Sequence, residues 1–281
     1  MKMPLKQTQQ ISSKTQLTSD NYYDRDTDLQ YQSATLFKSF LECEAKTQAE
    51  LLGVWKPPEN QVALLMGNYL HSYFESKEAH EAFIEQHQSE LISSQGKTKG
   101  QLKTAYKGVE AMIDVLANDE KFCSLYQGDK EAIVTGNIYG VAWKGKIDCL
   151  NLDRGYFIDL KTTQDLHKSY WNSEQHEKQS FAVHYNYQLQ MWVYMQLIYQ
   201  TFGVWCQPYI VAVDKQKVPD KAILSIPSYR LEEAEQVVAD NQERVESVRQ
   251  GETKPERCEQ CDYCKETKQL NEIISIDDLV E

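Results

Sequence analysis

The chain has 281 residues, 41% of them hydrophobic, which is enough for one large domain or two small ones with a substantial buried core. Its formal net charge of −12 argues against a general electrostatic attraction to nucleic acid, although a metal ion and a local basic groove would still permit binding. The sequence contains no apolar run long enough to span a bilayer, and residues 1–18 lack the apolar core of a signal peptide. We therefore expect a cytoplasmic protein that does not contact membranes.

The first half of the chain is predicted to be helical. Residues 1–30 are polar and are expected to form a flexible arm. Ser33 is a predicted N-cap because the apolar residues after it have helical spacing, and that helix should reach about residue 52, before Pro57 and Pro58 break the chain. Further helices are predicted over residues 60–77, 78–94 and 100–117.

From residue 131 onward, β-branched and aromatic residues become frequent and predict strands. The elements expected there are strands over 132–137, 139–150 and 156–161, a polar stretch over 164–180, a helix over 182–202, strands over 204–214 and 221–226, and a charged helix over 231–250. This order predicts an α/β or α+β domain with a mixed central sheet flanked by helices. We expect one domain over 31–270, a cysteine-rich knuckle at 255–266 and an acidic tail at 271–281.

Two acidic residues and a lysine carry the strongest chemical signal. Residues 151–155 are turn-rich and lie between apolar segments, which predicts a β-hairpin. In that hairpin Asp148 falls opposite Ile158 or Asp159, while Asp159 and Lys161 point to the same face of one strand. Carboxylates that converge repel each other unless a cation lies between them, and hard oxygen ligands suit Mg²⁺ or Mn²⁺.

The alternative is that these acids are ordinary surface carboxylates beside a chance lysine. Asp159 interrupts an apolar strand, however, and burying a charge there without compensation is costly, which favours a functional site. Glu131 opens a predicted strand and could extend the acidic cluster, but we favour an ordinary surface glutamate at this position.

Four short segments together resemble the motifs of PD-(D/E)XK nucleases. Segments 145–148 (GKID) and 158–161 (IDLK) are similar to the nuclease core, and segments 67–71 (GNYLH) and 190–194 (QMWVY) are similar to the upstream and downstream helices of its RecB-like and RecE-like branch. That branch includes phage-encoded proteins of the exodeoxyribonuclease VIII type. The resemblance covers roughly residues 30–270.

The resemblance implies a role for each matching residue. The implied metal ligands, for Mg²⁺ or Mn²⁺, are His71, Asp148, Asp159 and the backbone carbonyl of Leu160. Lys161 would position or activate the attacking water. Gln190 and Tyr194 lie four apart, on one face of a helix, and would contact the lysine, the scissile phosphate or the DNA end.

The resemblance also implies a function, namely a metal-dependent exonuclease that resects the ends of double-stranded DNA, from 5′ to 3′, for recombination by single-strand annealing. The implied partners are a RecT-like annealing protein and further copies of the chain in a ring. Two alternatives remain open. One is a structure-specific endonuclease, or a cluster-bearing adaptation-type nuclease, on the same core. The other is a catalytically inert module that binds DNA or a recombinase.

The cysteines suggest a second metal site. The chain has seven, and the odd number argues against a disulfide framework. Two overlapping Cys-x-x-Cys units would bind an iron–sulfur cluster such as [4Fe–4S], or Zn²⁺, unless they form a metal-free knuckle. Because related cluster-bearing nucleases combine one cysteine before the core with three after it, the resemblance implies the ligands Cys43, Cys258, Cys261 and Cys264. We expect Cys123, Cys149 and Cys206 to lie in the core.

Two basic segments are candidates for contact with DNA. The first comprises Lys97, Lys99, Lys103 and Lys107, although a solvated start of a helix is the favoured interpretation. The second follows the nuclease motif directly, and its Lys168 and Trp171 could contact an unwound DNA end.

Overall fold

A mixed five-stranded sheet with helices on both faces forms the centre of the computed structural model, which describes residues 15–57, 61–173, 175–270, 273, 275 and 276. The strands are β1 (Asp129–Ile138), β2 (Val141–Asn151), β3 (Tyr156–Thr163), β4 (Tyr170–Asn172), β5 (Glu177–Gln179), β6 (Gln207–Asp214) and β7 (Lys221–Ser225). The helices are α1 (Arg25–Gln30), α2 (Ala34–Glu42), α3 (Glu44–Leu51), α4 (Gln61–Glu75), α5 (Lys77–Gln86), α6 (Gln88–Leu91), α7 (Lys107–Ala117), α8 (Glu120–Leu125), α9 (Phe181–His184), α10 (Tyr187–Phe202), α11 (Ser228–Arg249) and α12 (Asp262–Glu266).

The strand order in the main sheet is β1-β2-β3-β6-β7, and only the β3–β6 pair is parallel. Parallel neighbours need a long crossover, and here α9 and α10 provide it. Strands β1 and β2 form a tight hairpin through Tyr139 and Gly140, which both have positive φ (49° and 84°), as a two-residue type I′ loop requires. This turn fixes the register between the two strands.

Each face of the sheet has its own apolar core. Helices α2, α10 and α11 cover one face, where Phe37, Trp143 and Phe157 are fully buried. Helices α4 and α7 cover the other, around Leu70 and Ile158. Because Phe157 and Ile158 are consecutive and point to opposite faces, β3 is buried on both sides, as a central strand must be.

Most predicted elements are present, with boundaries that differ in places. Ser33 does cap α2, since its hydroxyl accepts a hydrogen bond from the backbone N–H of Leu36 (3.2 Å). The single helix expected over 33–52 is instead two helices, because Cys43 is extended (φ −163°, ψ 105°) between α2 and α3. The helix expected over 182–202 is likewise interrupted, at Asn186, whose φ is +56°. The polar stretch 164–180 contains the ribbon β4–β5, which the sequence did not predict.

Residues 15–30, which the sequence places in a flexible arm, contain α1 and pack on β2. The Nζ atom of the buried Lys144 lies 2.8 Å from Asp28 Oδ1 and donates hydrogen bonds to Thr27 Oγ1 (2.7 Å) and to the carbonyl of Tyr22 (2.5 Å). A buried ammonium needs such compensation, so this contact holds the segment against the sheet. Residues 1–14 and most of the acidic tail lie outside the described residues. Among those described, no helix is both long and apolar enough to cross a membrane.

A glycine in β2 permits a close approach of α10 to the sheet. A Cβ atom on Gly145 would lie 3.0 Å from two ring atoms of Tyr194. Substituting alanine should therefore lower the free energy of unfolding by about 1–3 kcal/mol, the usual effect of overpacking. Gly67, in α4, is the matched control because a Cβ there meets nothing within 4 Å. Its replacement by alanine should stabilise the helix by about 0.5–1 kcal/mol.

Urea unfolding of both variants checks this prediction. Equal stability changes in the two variants would contradict a specific contact between Gly145 and Tyr194.

Candidate active site

Strands β2 and β3 separate at the point where the two predicted acids lie. Their ladder runs only over residues 149–151 and 156–158, and Cys149 pairs with Ile158. One step further Asp148 is opposite Asp159, which is one of the two positions expected from the sequence. There the carboxylate of Asp148 accepts a hydrogen bond from the backbone N–H of Leu160 (2.6 Å), in place of a ladder bond. The side chain thus occupies the gap between the strands.

The carboxylate of Asp159 contacts both Lys161 and Gln190, as the two oxygen atoms each have one of these side chains nearby. Lys161 Nζ lies 2.7 Å from Asp159 Oδ2, and Gln190 Nε2 donates to Asp159 Oδ1 (3.0 Å). The same nitrogen lies 2.9 Å from Tyr194 Oη, so both residues from α10 reach the site. The structure therefore brings two residues of β3 together with two residues of α10, and Asp159 and Gln190 are 31 positions apart in sequence.

A second group of possible ligands lies on the other side of Asp148. One donor atom each from His71, Glu131 and Asp148 lies within 4.8 Å of the other two, and His71 Nδ1 is 3.6 Å from Asp148 Oδ2. Asp159 is not in this group; its Oδ1 accepts a hydrogen bond from Gln190, and its Oδ2 lies 2.7 Å from Lys161 Nζ. The backbone N–H of Leu160 is used by Asp148, and ligation by the Leu160 carbonyl stays a prediction.

Glu131 lies in the cleft beside His71 and Asp148, so the expected ordinary surface glutamate is wrong and the alternative that it extends the acidic cluster fits the structure. It is half-buried in the cleft rather than on the surface, and its Oε2 lies 2.7 Å from Lys146 Nζ. Its φ of +52° is rare for a residue with a side chain, and such strain often occurs at functional sites. The sequence could have revealed this position through the register of the β1–β2 hairpin, because a turn at residues 139–140 places residue 131 opposite residue 148.

The cleft is polar and its charges are strongly coupled. It has a volume of about 620 Å³ and is lined, among others, by Tyr22, Tyr23, His71, Glu131, Asp148, Asp159, Lys161 and Gln190. Burial raises the pKa of Asp148 to about 6, although His71 acts in the opposite direction. Burial also acts to lower the pKa of Lys161, but the Asp159 and Asp148 carboxylates outweigh it and raise that pKa. An imidazole and buried carboxylates that repel one another fit a divalent cation.

Lys38 is a second basic residue near Lys161 that the sequence did not suggest. The Nζ atoms of Lys38 and Lys161 lie 5.2 Å and 5.1 Å from the ring centroid of Tyr187. Burial, with the Lys161 charge as a further cause, lowers the pKa of Lys38 to about 8. No local pattern could have revealed this pair, because it results from packing of α2 on α10.

The basic segments chosen from the sequence lie elsewhere. Lys97, Lys99, Lys103 and Lys107 are exposed before and at the start of α7, and none of the four lines the cleft. Trp171, 59% exposed, lies on the β4–β5 ribbon, and Lys168 lies just before it, with Nζ 5.0 Å from the Tyr170 ring centroid. Contact of these residues with DNA stays a prediction.

The four cysteines chosen as ligands do converge, although Cys43 and Cys264 are 221 positions apart in sequence. Of the three expected in the core, Cys149 and Cys206 are buried, but Cys123 is exposed near the C-terminal end of α8, so that prediction is wrong. Its thiol donates to the carbonyl of Ala117 (3.2 Å).

A mixed sheet whose central strands present two acids and a lysine to one cleft defines the PD-(D/E)XK class. The family described as a PDDEXK-like domain of unknown function (DUF3799) matches residues 33–267, and the chain belongs to it. A candidate exonuclease from Eubacterium rectale has a similar crystal structure, with a TM-score of 0.86, 32% sequence identity and an alignment that covers 95% of this chain and 98% of that one. No curated protein matches the sequence significantly. These comparisons confirm the predicted fold class and support nuclease activity.

We expect Glu131 to contribute to cation binding. Its carboxylate is within reach of the atoms of His71 and Asp148, so Glu131→Gln should weaken Mn²⁺ binding by about tenfold or more, and Asp148→Asn should weaken it further. Titration calorimetry with Mn²⁺ measures the dissociation constants. Mn²⁺ prefers oxygen and imidazole ligands, so the thiols will not compete.

The control for this measurement is Glu90→Gln, which alters an exposed carboxylate in α6. If Glu131→Gln binds Mn²⁺ as tightly as the wild type and Glu90→Gln do, Glu131 is not a ligand.

Proposed function

We propose that the protein is a metal-dependent exonuclease that acts on the ends of double-stranded DNA. The observation that carries the proposal is the convergence of Asp148, Asp159 and Lys161 in one cleft of a PD-(D/E)XK fold. The description of the Eubacterium rectale relative as a candidate exonuclease supports the same activity.

A divalent ion would be held by His71, Asp148 and Glu131, and the resemblance adds Asp159 and the Leu160 carbonyl. Such an ion supplies positive charge next to the scissile phosphate and lowers the pKa of a bound water. The residues fit this role because Asp148 is buried, Glu131 and His71 offer donor atoms beside it, and the nearest basic group to Asp148 is the His71 imidazole at 3.6 Å.

Lys161 would act as an ammonium ion. Beside Asp159 it can donate hydrogen bonds to the attacking water and to a phosphate oxygen, but in this form it cannot accept a proton. Asp159 fixes its position, and Gln190 in turn fixes Asp159 through a hydrogen bond from α10. The geometry is therefore set before substrate binds, which is the condition for effective electrostatic stabilisation.

Two features at the cleft and beside it support binding of a DNA end. Lys38 does not line the cleft, but it lies near Lys161 and would contact a backbone phosphate. Tyr23, 73% exposed, and Tyr22 line the cleft, and an exposed ring there can stack on an unpaired terminal base.

The resemblance extends the proposal to 5′-to-3′ resection, which leaves a 3′ overhang for a RecT-like annealing protein. It also suggests a homo-oligomeric ring through which DNA is threaded. These three elements rest on the resemblance alone, and the assay of labelled ends tests the first of them.

Linear duplex DNA should be degraded in the presence of Mg²⁺, and covalently closed circles should not. Asp159→Asn and Lys161→Ala should each lower the rate by about 10²–10⁴-fold, because each removes a group that positions or stabilises the reacting atoms. Release of label from duplexes marked at one 5′ or one 3′ end measures both rate and polarity. Glu90→Gln serves as the control with unchanged rate.

The outcomes separate the alternatives. Rapid cleavage of closed circles would indicate an endonuclease, and equal rates in wild type and Asp159→Asn would remove this site from the mechanism. Absence of activity in a wild type that still binds DNA would favour the inert module.

Lys38→Gln should weaken DNA binding without affecting Mn²⁺ binding. The slope of log affinity against log salt concentration is negative, and loss of one phosphate contact reduces its magnitude by about 1. Fluorescence anisotropy of a labelled duplex in Ca²⁺, at several salt concentrations, measures the slope. Lys103→Gln, outside the cleft, is the comparison variant. An equal or larger change in Lys103→Gln would place the DNA on the other basic segment.

A further inference from the structure

The four converging cysteines have the spacing of ligands to a single ion. Three sulfur–sulfur distances are 3.6 Å (Cys43–Cys264), 3.8 Å (Cys43–Cys261) and 4.0 Å (Cys258–Cys264), and all four Sγ atoms lie within 4.8 Å of one another. Four sulfurs at the corners of a tetrahedron, each about 2.3 Å from a central zinc ion, are about 3.8 Å apart. The observed distances match this edge length.

An iron–sulfur cubane requires a wider arrangement. In a [4Fe–4S] cluster each of the four thiolates binds a different iron, and bridging sulfides hold the irons apart. The thiolates then point outward from a cube and cannot all approach to within the distances seen here. The close spacing therefore favours one ion over a cluster, and a closed four-thiolate tetrahedron is the arrangement of structural zinc sites.

The local backbone supports ligation. Within the first Cys-x-x-Cys unit, Glu259 has a φ of +58°, and the backbone N–H of Cys261 lies 3.3 Å from Cys258 Sγ, to which it donates. Such N–H donors offset part of the negative charge that thiolates carry. Cys264 is fully buried and Cys43 nearly so, which excludes competing water from that side of the site.

We propose that Cys43, Cys258, Cys261 and Cys264 bind one zinc ion as thiolates, with release of their four thiol protons to solvent, and that this ion clasps the two ends of the domain together. Cys43 lies in the break between α2 and α3, and the other three lie after α11, on the C-terminal segment.

The surrounding contacts join the same two segments. Arg244 forms two hydrogen bonds with the Glu44 carboxylate (2.8 and 2.7 Å), and the backbone N–H of Ala45 donates to the carbonyl of Glu256 (2.9 Å). Trp55 Nε1 donates to Glu266 Oε2 (2.7 Å). Since residues of α2 and α3 also line the cleft, the clasp would hold one wall of the active site in place.

The metal content of the full chain tests the proposal. After purification without an affinity tag, elemental analysis of the wild type should give one zinc per chain, no acid-labile sulfide and no visible absorption from iron. Titration of the wild-type thiols with a mercurial should release the zinc, which a chromophoric chelator records. This measurement does not depend on any variant folding.

Variants locate the ion. Cys261→Ser should lose the zinc and melt at a lower temperature, whereas Cys123→Ser, which alters a cysteine outside the cluster, and Asp159→Asn, in the nuclease site, should both retain it. Iron with labile sulfide in the wild type, or a wild type that contains no zinc, would overturn the proposal. Neither result depends on whether the protein cleaves DNA.

Discussion

The hydrogen bond from the backbone N–H of Leu160 to the carboxylate of Asp148 is the interaction on which the site depends. It is short (2.6 Å) and buried, and it takes the place of a β-ladder bond just where β2 and β3 stop pairing. If the ladder continued, Asp148 and Asp159 would face each other across a closed strand pair. Because the strands separate, a side chain fills the gap, and the cleft can open between the two acids.

Three carboxylates around this gap each have a basic partner, which is a lysine for two of them and a histidine for the third. Asp159 pairs with Lys161 and Glu131 pairs with Lys146, at 2.7 Å each, while Asp148 has only the imidazole of His71 at 3.6 Å. Asp148 is therefore the carboxylate with the weakest compensation, and burial raises its pKa to about 6. A cation bound at Asp148 would offset this uncompensated charge. A buried charge of this kind costs stability, and proteins retain it mainly where it has a function.

The sequence predicted those parts of the site that depend on local pattern. Asp148, Asp159 and Lys161 could be placed together because a hairpin with a short turn has few possible registers. Gln190 and Tyr194 were assigned to the site through the family resemblance, and helical spacing explains only why both lie on one face. Glu131 was set aside as a surface residue, although the register of the β1–β2 hairpin places it opposite Asp148. Elsewhere the prediction failed where tertiary packing decides.

Lys38 and the break at Cys43 were missed for the same reason. Residues 33–52 have continuous helical spacing, which gives no reason for a break. The break becomes understandable only from the C-terminal segment, because the end of α2 at Cys43 brings that thiol close to the three cysteines of this segment. The contact between Lys38 and Tyr187 also requires two helices that are distant in sequence. Local propensity describes each segment well but contains no information about which segments meet.

A chain with a net charge of −12 can have a DNA substrate only if the charge in the cleft is more positive than that of the rest of the surface. Lys144, Lys146 and Lys161 all border the cleft, but each already pairs with a carboxylate, so they attract phosphate less than their number suggests. A divalent cation held by His71, Glu131 and Asp148 would compete with Lys146 for Glu131 and leave that lysine free to attract a phosphate, whereas the buried Lys144 would keep its pairing with Asp28. In the proposed nuclease, cation binding would therefore favour DNA binding as well as chemistry.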